Sequence, residues 1–123
     1  MTAVKLIGDK MDFKTPLTVK EFPLSQGSAR KIINNLASNH TGRILLSAHA
    51  KQRMLERRVT LRQILNVLGH VRSRFTELPH RTPAGDWKCN LQGMAAGELI
   101  EVVVVLKRFE TDPSAFVITV MVN

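Results

Sequence analysis

A chain of 123 residues, 44% hydrophobic and 23% charged, fits one globular domain with an ordinary core and excludes an intrinsically disordered chain. Its lone cysteine, Cys89, excludes an intrachain disulfide and a four-thiolate zinc site, and points to a reducing, cytoplasmic setting. With 18 Lys and Arg against 10 Asp and Glu the net charge is +8, and no apolar run approaches membrane-spanning length, so the expected partner is a polyanion, RNA foremost, and not a membrane.

Residues 1–24 have weak periodicity and contain Pro16 and Pro23. They read as an N-terminal arm or irregular edge with a short strand near Val4–Ile7, and the opening MTAVKLIGDKMDF lacks the apolar stretch of a signal peptide. Residues 25–123 read as a single α+β domain. In SQGSARKIINNLASNH, Ala29, Ile32, Ile33 and Leu36 recur at helical spacing, with Ser25 or Ser28 as the cap. TGR breaks that helix, and Ile44–Leu46 reads as a short extended link. Ser47 caps a second helix over Ala48–Arg57. Thr60 caps a third over Leu61–Leu68, with an apolar stripe of Leu61, Ile64, Leu65 and Leu68, and Gly69 ends it.

The period then changes to two. VRSRFTEL, DWKCNLQ, ELIEVVVVLKR and AFVITVMV read as four strands, separated by ELPHRTPAGDW, GMAAG and FETDPS. Short connections imply an antiparallel meander, and segregated helices and strands imply N-terminal helices packed on one face of that sheet. The covered face is expected to carry Val71, Phe75, Trp87, Cys89, Leu91, Ile100, Val102, Val104, Leu106, Phe116, Ile118 and Val120. The other would carry Arg72, Arg74, Lys88, Asn90, Gln92, Glu101, Lys107 and Thr119, as a polar platform open to a ligand.

The charge is concentrated. From Arg43 to Arg81 nine basic residues face two acids, Glu56 and Glu77, so this segment holds +7 of the total. Within it His49, Arg53 and Arg57 stand four residues apart on one side of the second helix, beside Glu56, while Ala50, Met54 and Leu55 turn to the other. RNA can be cut without metal when its 2′-hydroxyl attacks the adjacent phosphorus; this needs a group to take a proton, a group to give one, and fixed positive charge on the phosphoryl oxygens. Histidine titrates near neutrality, and the arginine fork matches two phosphate oxygens. The same spacing also describes a solvated helix face with Glu56 paired to a neighbouring cation. Arg58, Arg72, Arg74, His80, Arg81 and Lys88 are the further candidates for phosphate contact. Trp87 and Cys89 alternate with Leu91 and belong to the core. His70 suits the C-terminal dipole of the third helix. Glu101 is either a base on the platform or a cross-strand partner of Lys88. No histidine spacing singles out a metal site and no phosphate-binding glycine loop is present, so no cofactor is expected.

SAHAKQRMLERRVTLRQILNVL resembles a bacterial and phage family of unknown function whose helix opens Ser-x-His-Ala-x-x-Arg-Met-x-x-Arg. GDWKCNLQG and IEVVVVLKR…FVITVMV are similar to the strands that follow in that family. The resemblance covers residues 25–122 and implies a RelE-like fold of the barnase–EndoU–colicin–RelE group. It further implies a metal-independent ribonuclease of the toxin–antitoxin type, with His49, Arg53 and Arg57 as catalytic residues and Met54 in the core. Where many such nucleases carry a tyrosine near the last strand, this chain offers Thr119. Two other readings come from the residues. MLERRVTLRQILNVLGH fits a helix–turn–helix module presenting Arg62, Gln63 and Asn66 to nucleic acid. Alternatively, the basic surface of a phage or mobile-element protein would bind an acidic partner, such as an antitoxin or host protein.

Overall fold

A computed structural model describes residues 15–123; the strand expected near Val4–Ile7 lies outside them. Three helices form where the apolar spacing predicts them. Helix α1 spans Gln26–Asn39, and the Ser25 hydroxyl accepts from the Ser28 N–H at 3.1 Å to cap it. Its apolar stripe, Ala29, Ile32, Ile33, Leu36 and Ala37, is buried. Helix α2 spans Ala48–Arg57, with the Ser47 hydroxyl accepting from the Ala50 N–H at 2.9 Å. It stops because Arg58 turns left-handed at φ 57°. Helix α3 spans Leu61–Gly69 and starts on a reciprocal capping box between Thr60 and Gln63. It runs through Gly69, and His70 is the residue that caps it.

The sheet differs from the expected four antiparallel strands. Among the described residues it has five: β1 (Ile44–Leu46), β2 (Arg74–Arg81), β3 (Trp87–Ala95), β4 (Glu98–Lys107) and β5 (Ser114–Val122), in the order β1-β5-β4-β3-β2. The segment read as an extended link, Ile44–Leu46, pairs with β5 in parallel, Ile44 opposite Ala115 and Leu46 opposite Val117. Three residues are too few to show alternation, and a parallel partner sits far along the chain, after α2, α3 and three strands. The remaining strands form the antiparallel meander. β3 and β4 are joined by Ala96 and Gly97 alone, both at positive φ, so only the end of GMAAG is a turn.

The covered face is legible on β3 and β4: Trp87, Cys89 and Leu91, and Ile100, Val102, Val104 and Leu106, are all buried. On β5 the expectation of Phe116, Ile118 and Val120 is corrected. Val103 pairs with Thr119 and Val104 with Val117, so Ile118 is an extra residue in a bulge. The bulge resets the alternation, and Ala115, Val117 and Val120 are the buried residues. Val71 precedes β2 and is exposed. β2 itself is an irregular edge, with register shifts on either side of Glu77 and Pro79 within it.

α1 packs on α3, and α3 on β3 and β4. Arg30 donates to the Val71 carbonyl at 3.0 Å and to that of Ser73, and Asn34 donates to the Leu68 carbonyl. Ser73 in turn donates to the Val67 carbonyl at 2.6 Å, and a Cβ at Gly93 would sit 2.7 Å from its hydroxyl oxygen. Only glycine lets β3 pass this close. In the segment expected as an arm, Pro16 and Leu24 are buried, and Val19 N–H donates to the Phe109 carbonyl at 3.1 Å.

The contrast between core and surface is testable. Ile64→Ala is expected to cost about 2–5 kcal/mol in denaturant unfolding, and Leu55→Ala, at an 83% exposed position, less than about 0.5 kcal/mol.

Candidate functional site

α2 leaves most of its surface in water. Ala50 is its one buried residue, and Met54 packs partly against the core. The start of the helix is fixed to β5 at the bulge: Ser47 N–H donates to the Val117 carbonyl at 3.1 Å, and its hydroxyl donates to the Ile118 carbonyl at 3.0 Å. His49 stands two residues further on.

The exposed side of α2 carries a chain of polar contacts. Arg53 Nε donates to His49 Nε2 at 3.4 Å, a long contact that a ring with a free Nε2 lone pair can accept. Arg53 Nη1 lies 3.1 Å from Glu56 Oε1, and Gln52 donates to Glu56 Oε2 at 3.0 Å. Glu56 therefore orients Arg53 and offsets part of its charge, a role that its position beside Arg53 hinted at and that only side-chain placement reveals. Arg57 and Arg58 are exposed and make no ion pair among the described residues.

The other candidates do not join this group. Ala50 packs into the core that covers the inward face, together with Trp87, Cys89 and Leu91. Lys88 alternates with those residues and lies on the opposite face, half-buried. His80 is its register partner on β2, and His80 Nδ1 lies 3.2 Å from Glu77 Oε2. Arg72 and Arg74 are exposed. Arg81 pairs in register with Trp87, and its guanidinium lies 5.3 Å from the centre of the Phe22 ring. Phe22 fell in the presumed arm and carried no sequence signal. His70 accepts from the Arg72 N–H at 2.9 Å, which shapes the turn after α3.

Glu101 sits in the middle of the open face, and Lys88 is not its partner. Thr76 and Asn90 donate to Oε2 at 3.0 and 2.8 Å, and Asn123 donates to Oε1 at 3.3 Å. Desolvation raises its pKa, but these three donors and the Arg74 charge outweigh that and hold the carboxyl below its usual 4.5. Cys89 lies in the core, where burial pushes its thiol up to about 12, so it is no nucleophile at neutral pH. Of the three residues a helix–turn–helix would present, Gln63 is buried and donates to the Ala95 carbonyl at 3.2 Å. A concavity of about 900 Å³ beside Arg62, Asn66 and Met94 contains none of the candidate phosphate contacts. Among the described residues no cluster of three His, Cys, Asp or Glu is placed to hold a metal ion, and no helix is long and apolar enough to cross a membrane.

These features define an α+β domain with helices on one face of an open five-stranded sheet and a basic, exposed helix fixed to β5. Residues 46–122 match a family described as a domain of unknown function, DUF4258, and the chain belongs to that family. The match takes in α2, α3 and β2 to β5 and leaves α1 outside. No curated protein and no solved structure matches the chain.

Two predictions follow from the buried and hydrogen-bonded groups. Glu101, with its pKa depressed in the fold, stabilises above the usual 4.5 and ceases to do so as pH falls through its lower folded value. Glu101→Gln is therefore expected to flatten the acid limb of the unfolding midpoint, scanned from neutrality to about pH 3. Cys89 is expected to stay unreacted toward a thiol reagent at neutral pH until denaturant opens the core, as read by mass spectrometry.

Proposed function

We propose that this domain is a metal-independent ribonuclease of toxin type with a RelE-like fold, and that its chemistry resides on α2. The observation that carries the proposal is His49 Nε2 facing the Arg53 guanidinium at 3.4 Å on a solvent-open helix, with Arg57 one turn further along. As Arg53 turns from the imidazole to the phosphate, the freed His49 Nε2 lone pair takes the proton of the 2′-hydroxyl, whose oxygen attacks the neighbouring phosphorus and expels the 5′-oxygen. Arg53 and Arg57 hold the phosphoryl oxygens as negative charge builds on them. Glu56 keeps Arg53 close to the imidazole through its ion pair at 3.1 Å. The 5′-oxygen draws its proton from water.

The +7 charge between Arg43 and Arg81 supports a polyanionic substrate, and Arg58, Arg72, Arg74, His80, Arg81 and Lys88 serve as contacts for a longer strand. An acidic antitoxin or host protein would bind the same charge and block α2.

Purified full-length protein is expected to cut RNA in the presence of a chelator and to leave 2′,3′-cyclic phosphate ends. His49→Ala should slow cutting by about 100-fold or more, and Arg57→Ala by about tenfold. Intact RNA, or equal cutting by His49→Ala, would refute the assignment.

A further inference from the structure

Phe22 is 71% exposed, yet its ring is held on two sides. It meets Trp87 in a T-shaped contact, 5.9 Å between ring centres and 77° between planes. The Arg81 guanidinium lies 5.3 Å from its centre. Each partner is itself fixed. Trp87 is 6% exposed and belongs to the core. Arg81 closes β2 opposite Trp87, and the loop after it is tied by Thr82 N–H donating to the Asp86 carbonyl at 2.8 Å and Gly85 N–H to that of Thr82 at 2.9 Å. Asp86 also pairs with Lys107 at 3.3 Å.

A phenylalanine this open would ordinarily lose apolar contact and gain none. Here it is oriented beforehand, with the Arg81 cation at its ring. A flat aromatic surface next to a guanidinium matches a nucleobase attached to a phosphate: the base stacks on the ring, and the guanidinium meets the phosphate. We infer that Phe22, with Arg81, forms a stacking site for one base of a single-stranded nucleic acid. This rests on the RNA reading above but not on cleavage.

Trp87 is the only tryptophan and the chain has no tyrosine, so its emission reports this spot alone. The test uses the full chain and a short, labelled 2′-O-methyl oligoribonucleotide, which cannot be cut by its own 2′-oxygen. Binding, followed by anisotropy, is expected to change the Trp87 emission. Phe22→Ala and Phe22→Leu should each weaken binding about tenfold while leaving the circular dichroism spectrum unchanged. An oligonucleotide of the same backbone with abasic residues should bind the wild type about tenfold more weakly, a comparison that needs no variant to fold. Equal binding of the abasic and base-bearing strands overturns the stacking site and leaves the RNA reading standing. Unchanged affinity in both Phe22 variants does the same. Absence of any binding by the wild type overturns both. Binding with the expected Phe22 dependence but no cleavage of ordinary RNA keeps the stacking site and removes the nuclease.

Discussion

β4 runs between β3 and β5 with Ile100, Val102, Val104 and Leu106 almost wholly closed to solvent, and the other elements fit around that strand. A strand this apolar is stable only with both hydrogen-bonding edges paired and its inward face covered. β3 and β5 supply the edges. α1 and α3 supply the cover through Ile32, Ile33, Leu36, Ile64, Val67 and Leu68, all essentially buried. The polar ties around Ser73 then fix the approach of the helices to β2 and β3, and Ser73 satisfies the Val67 carbonyl, which would otherwise be buried without a partner.

The outward face of β4 is different in kind. Val103 is buried, while Glu101 is held by Thr76, Asn90 and Asn123, one donor from each of β2 and β3 and one from the residue after β5. A carboxylate so well supplied with donors stays ionised and rigid. It reads as a polar clasp across the strands, which is why Lys88, expected to pair with it, remains available to other anions. Among the described residues, the Asn90 side-chain oxygen has no partner.

Function, in the proposed reading, depends on how α2 is held. The helix packs on β5 through buried Ala50 and partly buried Met54. Ser47 adds to this by capping the helix and bonding to β5 at the bulge. Bulges re-aim neighbouring groups and are frequent beside functional sites. Here the bulge places the start of an exposed basic helix against a rigid sheet. Catalytic chemistry on α2 and base stacking at Phe22 then lie on the same side of the sheet as the core, at separate strands, and the Lys88 surface lies behind them. The substrate implied is an extended strand, since a compact ligand would reach only one of these places.

Much of this was legible in the chain alone. Helical spacing gave α1, α2 and α3, because a period of 3.6 and a capping hydroxyl are local properties. Alternation gave the buried faces of β3 and β4 for the same reason. The triplet His49, Arg53, Arg57 was visible as spacing on one helix. What the sequence could not determine involves partners distant along the chain. Ile44–Leu46 became a strand only because β5 offered a parallel edge, and Ile118 became a bulge only against β4. Likewise Lys88 and His49 came to lie on opposite sides of the sheet, and Phe22 met Trp87 and Arg81 across 65 and 59 positions. Local periodicity is written in neighbouring residues, whereas register, face and long-range side-chain contacts are chosen by the packing of the whole core, and the tertiary structure alone decided them.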